Sequence, residues 1–269
     1  MTDVDRSRQA AELLMSNTER GTRVDQLPDE LRPGTRADGY AIQSHWQARS
    51  SAPLFGWKIA ATSEAGQRHI NVDGPLAGRL LAERVLAHGA TVSLANNLMR
   101  VVELELAFRF GRDLPSRPRR YDVDETMGAV ATLHPAIEIP DSRYEDFCAV
   151  GAPQLIADNA CARWFILGPA VDVPWRHVDL AAHEVSATVV GKAQHDGKGS
   201  NVLGDPRLAL TWLVNELSAH GVDVRAGEVV TTGGPASCRC RSSLATRCGR
   251  ASGISAACRS GFLDLPRWQ

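Results

Sequence analysis

The stretch RVVELELAFRFGRDL, residues 100–114, decides how this chain folds. At a period of two it predicts a half-buried β-strand, whose apolar face would consist of Val102, Leu104, Leu106, Phe108 and Phe110. The opposite face carries Glu103 and Glu105. Such neighbours on a strand lie only ~7 Å apart, so the two carboxylates repel each other and each raises the other's pKa. A strand that keeps both acids needs a compensating charge.

A third acid occurs in the segment HPAIEIPDSR, residues 134–143, where Glu138 lies between two isoleucines on another predicted strand. Three carboxylates on rigid strands suit a hard divalent cation such as Mg²⁺ or Mn²⁺, which cancels their repulsion. Open coordination positions on the cation would then be available to a substrate. Two alternatives remain open at this point, a solvated strand face and glutamates paired with Arg100, Arg109 or Arg143.

Lys58 is a second candidate for a functional side chain. It lies in GWKIAAT, residues 56–62, which predicts a short strand, and it is one of only three lysines among the 30 basic residues of the chain. A lysine in such a setting is either a surface residue whose ammonium reaches water or a functional cation.

Composition limits the class of protein. The chain has 269 residues, 43% of them hydrophobic, which suffices for one sizeable core. The 31 acidic and 30 basic residues nearly cancel, so the net charge indicates neither a nucleic acid nor a membrane partner. With no bilayer-length apolar run and no signal-peptide core at the start, we expect a soluble cytoplasmic protein.

The remaining patterns predict an α+β fold, because strands outnumber helices without regular alternation. We expect one domain over residues 1–237 with mixed β-sheets and peripheral helices. The predicted helices are residues 5–20, 40–49, 122–132 and 205–221. The predicted strands outside the acidic segments are GWKIAAT, WFILG and EVVTTGG, together with a hairpin over 183–199 that turns near 195–197. The glycines and proline of VDGPLAGRL, residues 72–80, predict a loop.

Several segments resemble one family in sequence and in order. GWKIAATS resembles the GYKIGLTS segment of the 2-oxopent-4-enoate hydratases, which are members of the fumarylacetoacetate hydrolase superfamily. NVDGPLAGRL resembles the loop that follows, VVELELAF the metal-binding E-x-E strand, and HPAIEIPDSR the segment with the third carboxylate. Further similar blocks are IADNACARWFILG, GKGSNVLGDPRLALTWLVNEL and AGEVVTTG. The set covers residues from about 40 to 234.

The resemblance implies roles for individual residues. Glu103, Glu105 and Glu138 would be the metal ligands, and Lys58 the acid–base group at the substrate. Asp73 lies in the matching loop and is a weaker catalytic candidate.

Two positions depart from the family's pattern. Some relatives carry a pair of aspartates where this chain has Ala82 and Glu83, so a role for that pair is in doubt here. Cys161 stands where a serine is expected, and we interpret it as a small buried thiol rather than a nucleophile.

The function that the resemblance implies is a metal-dependent hydration of 2-hydroxypenta-2,4-dienoate to 4-hydroxy-2-oxopentanoate, in the meta-cleavage breakdown of aromatic compounds. The alternatives are a 4-oxalocrotonate decarboxylase, a C–C hydrolase acting on acylpyruvates, and a non-catalytic subunit of a complex. The expected partners are a small 2-hydroxydienoate or 2-oxo acid, further copies of the chain in a homo-oligomer, and a pathway aldolase or decarboxylase.

Residues 238–269 differ from the rest of the chain, since four of the six cysteines lie there among many arginines. A divergent tail and a zinc site are two interpretations, although the cysteine spacing does not match paired C-x₂-C ligands. The third, which we favour, is a one-base slip of the reading frame after Ser237. With suitable GC-rich codons, the shifted frame reads LPLPEQPGDTVRAGFGHQRRVPVRF, which contains the proline-glycine-aspartate turn and the terminal V-x-V-R-F pattern of the family.

Overall fold

The computed structural model describes residues 2–188, 194–239, 259–260 and 263–264. Its helices are α1 (Asp3–Arg20), α2 (Arg36–Ala48), α3 (Glu64–His69), α4 (Val123–Ala129), α5 (Gly151–Ala157) and α6 (Pro206–Ala219). Its first six strands are β1 (Gly56–Ala60), β2 (Leu76–Leu80), β3 (Val85–Leu86), β4 (Val101–Phe110), β5 (Val130–Ile139) and β6 (Trp164–Leu167). The remaining strands are β7 (Glu184–Thr188), β8 (Gln194–Lys198), β9 (Val229–Thr231), β10 (Ala236–Arg239), β11 (Arg259–Ser260) and β12 (Leu263–Asp264).

The larger sheet is built around β4. Its strand order is β2-β1-β9-β4-β5-β6-β3, and β10 also pairs with β4. The β1–β9 and β3–β6 pairs are parallel and the others are antiparallel, so the sheet is mixed. A second sheet has the order β12-β11-β7-β8. Together with the helices, these sheets confirm the predicted α+β architecture.

The two faces of β4 differ in burial. Its apolar face packs in the core, with Phe108 and Phe110 almost fully enclosed. The acidic face is partly buried, since Glu105 is only 2% exposed while Glu103 keeps some exposure. The prediction of a half-buried strand was therefore correct, but the alternative of a fully solvated acidic face does not apply.

The long helices begin where polar side chains cap them. Thr2 and Thr35 each accept a hydrogen bond from the backbone N–H three residues on, and an aspartate at that position bonds back to the threonine backbone. The cap at Thr35 explains why α2 begins before the predicted residue 40. The two helices then pack Leu14 and Trp46 into an apolar cluster that covers one side of the domain.

Two predicted elements were wrong. VDGPLAGRL was predicted as a loop, but its second half forms β2, which pairs with β1 over five residues. Gly78 interrupts the sequence pattern without interrupting the strand, because it allows a close backbone approach. The hairpin was predicted to turn near 195–197, but these residues lie within β8. The connection between β7 and β8 falls at residues 189–193, outside the described residues.

In the described part of the chain, no helix combines the length and the apolar character needed to cross a bilayer. The frame-slip interpretation concerns residues 238–269, most of which lie outside the described residues. Where this segment is described, residues 238 and 239 continue β10, and the residue pairs 259–260 and 263–264 form β11 and β12.

Because β10 lies beside the strand that carries the acids, with Ser237 opposite Glu103, the sequence after Ser237 should affect stability. We predict that replacing residues 238–269 with LPLPEQPGDTVRAGFGHQRRVPVRF raises solubility and the melting temperature, since the restored strands would cover exposed sheet edge. The measurement is a thermal melt of both proteins at equal concentration and equal Mg²⁺. A chain ending at Ser237 is the control. If the restored protein melts no higher than the present one, the frame-slip interpretation is wrong.

Candidate metal centre

Strand register brings the three predicted acids together. In the antiparallel pair of β4 and β5, Glu103 lies directly opposite Glu138. Glu105 follows two residues along β4 and therefore points to the same face. One carboxylate oxygen from each of the three lies within 4.8 Å of the others. We call these three residues the Glu cluster.

The Glu cluster is buried and incompletely hydrogen-bonded. Glu138 is fully enclosed, and Glu105 Oε1 and Glu138 Oε2 have no hydrogen-bond partner. Two of the arginines proposed as partners are engaged elsewhere, since Arg109 donates to the Gly227 carbonyl and Arg143 pairs with Asp158. Buried carboxylate oxygens without partners are costly, so the cluster requires a cation.

Lys58 supplies one positive charge from β1. Its Nζ lies 3.0 Å from Glu138 Oε1 and donates a hydrogen bond of 3.1 Å to the Ala160 carbonyl. The side chain is 2% exposed, so it is not the surface lysine that the sequence left possible. A Cβ on Gly78 would lie 3.0 Å from the Lys58 side chain and 2.6 Å from the Asn159 carbonyl. Glycine in β2 thus makes room for the lysine.

The turn that holds Lys58 has an unusual backbone. Asn159, Ala160 and Cys161 have φ values of 54°, 50° and 61°, in the left-handed region that side chains rarely adopt. The Asn159 side chain fixes the turn by accepting from the Arg79 N–H at 2.7 Å and donating to the Arg79 carbonyl at 2.9 Å. The buried ion pair of Asp158 with Arg143 holds the start of the turn.

Two groups that the sequence analysis missed orient Glu105. The Thr231 hydroxyl and the Gly233 N–H both donate to Glu105 Oε2. Residues 231 and 233 belong to EVVTTGG, which was recognised only as a strand. No pattern within that segment indicates the contact, because it depends on the pairing of β9 with β4, where Thr231 lies opposite Ala107.

Burial dominates the electrostatics of the Glu cluster. Burial and the charge of Glu138 together raise the pKa of Glu103 to about 7, against the attraction of Lys58. Burial and the two other carboxylates raise the pKa of Glu105 well above its usual value, and burial also raises that of Glu138 despite the opposing charge of Lys58. For Lys58, burial alone would lower the pKa, but the three carboxylates outweigh it and the pKa is raised.

This donor set fits a divalent cation. Three carboxylates against one ammonium leave two negative charges uncompensated when all groups are ionised, and two oxygens lack partners. The donors are oxygens only, as hard cations prefer.

The other predicted residues lie apart from the Glu cluster. The Asp73 side chain is 82% exposed and pairs with Arg36 at 2.8 Å, so the structure does not bring it into the cluster. Glu83 is exposed and accepts from the Ser50 hydroxyl. Cys161 is a buried free thiol, and burial raises its pKa to about 12, which agrees with an unreactive side chain.

Comparison with known proteins gives consistent matches. Residues 59–256 match the model of the fumarylacetoacetate (FAA) hydrolase C-terminal family. The 2-keto-4-pentenoate hydratase of Burkholderia vietnamiensis (strain G4) is 32% identical over 79% of this chain and 81% of its own length. The 2-hydroxyhexa-2,4-dienoate hydratase of Comamonas testosteroni is 34% identical over 77% and 79% of the two chains.

The solved structures of 4-oxalocrotonate decarboxylase from Pseudomonas putida G7 are similar in fold. The complex with magnesium and adipate has a TM-score of 0.77 at 24% identity and covers 88% of this chain and 89% of the decarboxylase. The complex with calcium and acetate has a TM-score of 0.75 at 25% identity with the same coverage.

The electrostatics of the Glu cluster predict that removing one of its charges raises the stability of the metal-free protein and lowers its metal affinity. In the metal-free protein, Glu103→Gln should raise the melting temperature by a few °C, since ~1 kcal/mol shifts it by about 2–4 °C in a domain of this size. The raised pKa means that ionising Glu103 costs stability. The gain should be absent below pH ~4.5, where the group is protonated in both states. It should grow until about pH 7. Mg²⁺ affinity should fall at least ~100-fold, because losing even an outer-shell partner costs 10–100-fold.

Chelator-treated protein would be melted across this pH range with and without Mg²⁺, and affinity measured by calorimetry. Glu64→Gln is the matched control, because that carboxylate is 88% exposed. Unchanged Mg²⁺ affinity in Glu103→Gln would remove this residue from the ligand set.

Proposed function

Because this chain belongs to the fumarylacetoacetate hydrolase family, we propose that it is a divalent-metal-dependent hydratase that converts 2-hydroxypenta-2,4-dienoate to 4-hydroxy-2-oxopentanoate in aromatic catabolism. The observation that carries this proposal is the Glu cluster with two buried, unpartnered oxygens beside Lys58. The hydratase names of relatives that align over most of the chain support the same reaction.

Glu103, Glu105 and Glu138 would hold the metal, which we propose to be Mg²⁺ or Mn²⁺. When bound, it supplies Lewis-acid stabilisation of negative charge on the substrate's 2-oxygen. Thr231 and Gly233 keep one oxygen of Glu105 engaged, which leaves Oε1 directed to the cation. Asp73 remains a weaker catalytic candidate, since its exposed position gives it no contact with the cluster.

The proposed role of Lys58 is proton transfer. Ketonisation moves the proton of the 2-hydroxyl to C5, which leaves a C3=C4 double bond conjugated to the carbonyl. Water then adds its oxygen to C4 and a proton to C3, which balances the overall hydration. Because its ammonium lies beside the Glu cluster, Lys58 is placed to pass a proton to or from the substrate in this sequence. Its ion pair with Glu138 and its bond to the Ala160 carbonyl fix the position of the ammonium.

A second candidate is the decarboxylation of 4-oxalocrotonate, which the solved decarboxylase favours through its similarity over 88% of this chain. Both reactions pass through a substrate enol next to a carboxylate, so the Glu cluster serves either. A C–C hydrolase and a non-catalytic subunit remain further alternatives. Homo-oligomerisation, assembly with a pathway aldolase or decarboxylase, and a cytoplasmic location are also part of the proposal.

A turnover assay separates these reactions. Purified protein with Mg²⁺ or Mn²⁺ should consume 2-hydroxypenta-2,4-dienoate, seen as loss of its conjugated absorbance, and should release 4-hydroxy-2-oxopentanoate. Glu103→Gln, Glu105→Gln and Glu138→Gln should each abolish this activity. Release of CO₂ from 4-oxalocrotonate at a higher kcat/KM would favour the decarboxylase. No turnover of either compound with either metal, in the protein with the restored tail, would favour the non-catalytic subunit.

Lys58→Ala should separate catalysis from metal binding. Turnover should fall by roughly 10²–10⁴-fold, the usual contribution of a general acid. Mg²⁺ affinity should be unchanged or higher, because the substitution removes a positive charge that competes for Glu138. Steady-state kinetics and calorimetric titration on the same preparation test this. Equal losses of rate and affinity would instead assign Lys58 a structural role.

A further inference from the structure

A small cavity lies away from the Glu cluster, where α1 and α2 face the ends of β2 and β6. It has a volume of about 20 Å³, little more than one water molecule occupies, and it is partly open to solvent. Four arginines and two tryptophans contribute to its lining: Arg79, Arg84, Arg143, Arg163, Trp46 and Trp164. Its lining includes neither Lys58 nor any member of the Glu cluster.

Two of the four arginines have their own partners. Arg143 pairs with the buried Asp158, so its charge is compensated. Arg79 donates to the Gln43 side chain and packs over Trp57, with its guanidinium carbon 4.7 Å from the ring centroid.

Arg84 and Arg163 differ from this pair. Among the described residues, no carboxylate lies within 4.0 Å of either guanidinium group. Both pack on the same indole, each with its guanidinium carbon 5.1 Å from the Trp164 ring centroid. Arg163 Nη1 is buried without a hydrogen-bond partner. Two like charges thus contact the same indole, and one donor is unsatisfied.

The charges around the cavity make this arrangement costly. Burial, together with the neighbouring charges of Arg84 and Arg143, lowers the pKa of Arg163 to about 10. Burial also lowers the pKa of Arg84, against the weaker attraction of Glu83. An anion bound beside these guanidinium groups would reduce these costs, because it accepts from the free donor and offsets positive charge.

We propose that a small oxyanion, a carboxylate or a phosphate, binds at the open side of this cavity beside Arg84 and Arg163. Guanidinium groups present planar pairs of donors that match two oxygens of such an anion. Packing on Trp164 restrains both side chains before the ligand arrives, which lowers the entropic cost of binding. The indole of Trp46 offers an apolar wall for an organic portion of the ligand.

The test is calorimetric titration of the full-length, Mg²⁺-loaded protein with sodium phosphate and, separately, sodium acetate. Sodium chloride at matched ionic strength controls for screening. We expect saturable binding of at least one oxyanion and an affinity loss of at least ~10-fold in the double variant R84Q/R163Q. The double variant R68Q/R119Q removes two charges from side chains that are 73% and 74% exposed, and it should bind as the unaltered protein does.

The relative affinities of phosphate and acetate identify the oxyanion. Equal binding by R84Q/R163Q would overturn the proposal, provided that its melting temperature without anion matches that of R68Q/R119Q. If R84Q/R163Q melts lower, the single variants R84Q and R163Q are melted with and without phosphate. If phosphate raises the melting temperature of both single variants as much as that of the unaltered protein, the proposal is overturned. A smaller increase supports it. The proposal would also be overturned if titration with phosphate and with acetate released no more heat than titration with sodium chloride. A change of oligomeric state in R84Q/R163Q without anion binding by the unaltered protein would overturn it too, since the arginines would then pair with acids of a second copy.

Discussion

The burial of three carboxylates beside a single ammonium is the constraint on which the rest of the structure depends. At an effective dielectric constant of ~20, two unit charges 4.8 Å apart interact by about 3–4 kcal/mol. Lys58 offsets part of this repulsion, by about 5–6 kcal/mol for Glu138 at 3.0 Å on the same scale. The pKa of each carboxyl nonetheless stays raised, because burial adds the cost of desolvating the charged form. Either protonation or a dication relieves this cost. The proposed reaction needs the dication, so the fold must hold the acids in place while they repel.

The sheet meets this requirement by distributing the groups over three strands, with Glu103 and Glu105 on β4, Glu138 on β5 and Lys58 on β1. Glu103 and Glu138 face each other across the β4–β5 pair, so neither can withdraw without breaking a ladder of eight paired positions. Glu105 is tied to β9 through Thr231, and Lys58 reaches the cluster from β1 on the far side of β9. Rigid strands of this kind position a site more accurately than loops do. Holding these charges together destabilises the centre of the fold, as is common at functional sites.

The alternation of apolar residues and the scarcity of lysine predicted those site residues that can be recognised within a single sequence segment. Alternation over 100–114 gave β4 and the common face of Glu103 and Glu105, and the scarcity of lysine singled out Lys58. The partners of these residues could not be predicted in that way. The contact of Thr231 with Glu105 depends on the β9–β4 register, and the Ala160 carbonyl is a backbone group with no sequence signature. Gly78 led to the wrong prediction of a loop, because glycine often interrupts strands. Here it lies within β2 and leaves space for the Lys58 side chain.

The left-handed turn after α5 connects the two charged regions of the molecule. Asp158 compensates Arg143 at the arginine-lined cavity, Asn159 lines that cavity, and the Ala160 carbonyl binds Lys58 on the opposite side. Successive residues of one turn therefore face a cationic environment and an anionic one. Left-handed backbone at three non-glycine residues costs stability, and the side-chain bonds of Asp158 and Asn159 offset that cost. The same bonds hold the backbone that leads to the Ala160 carbonyl, so they also fix the acceptor of the Lys58 ammonium.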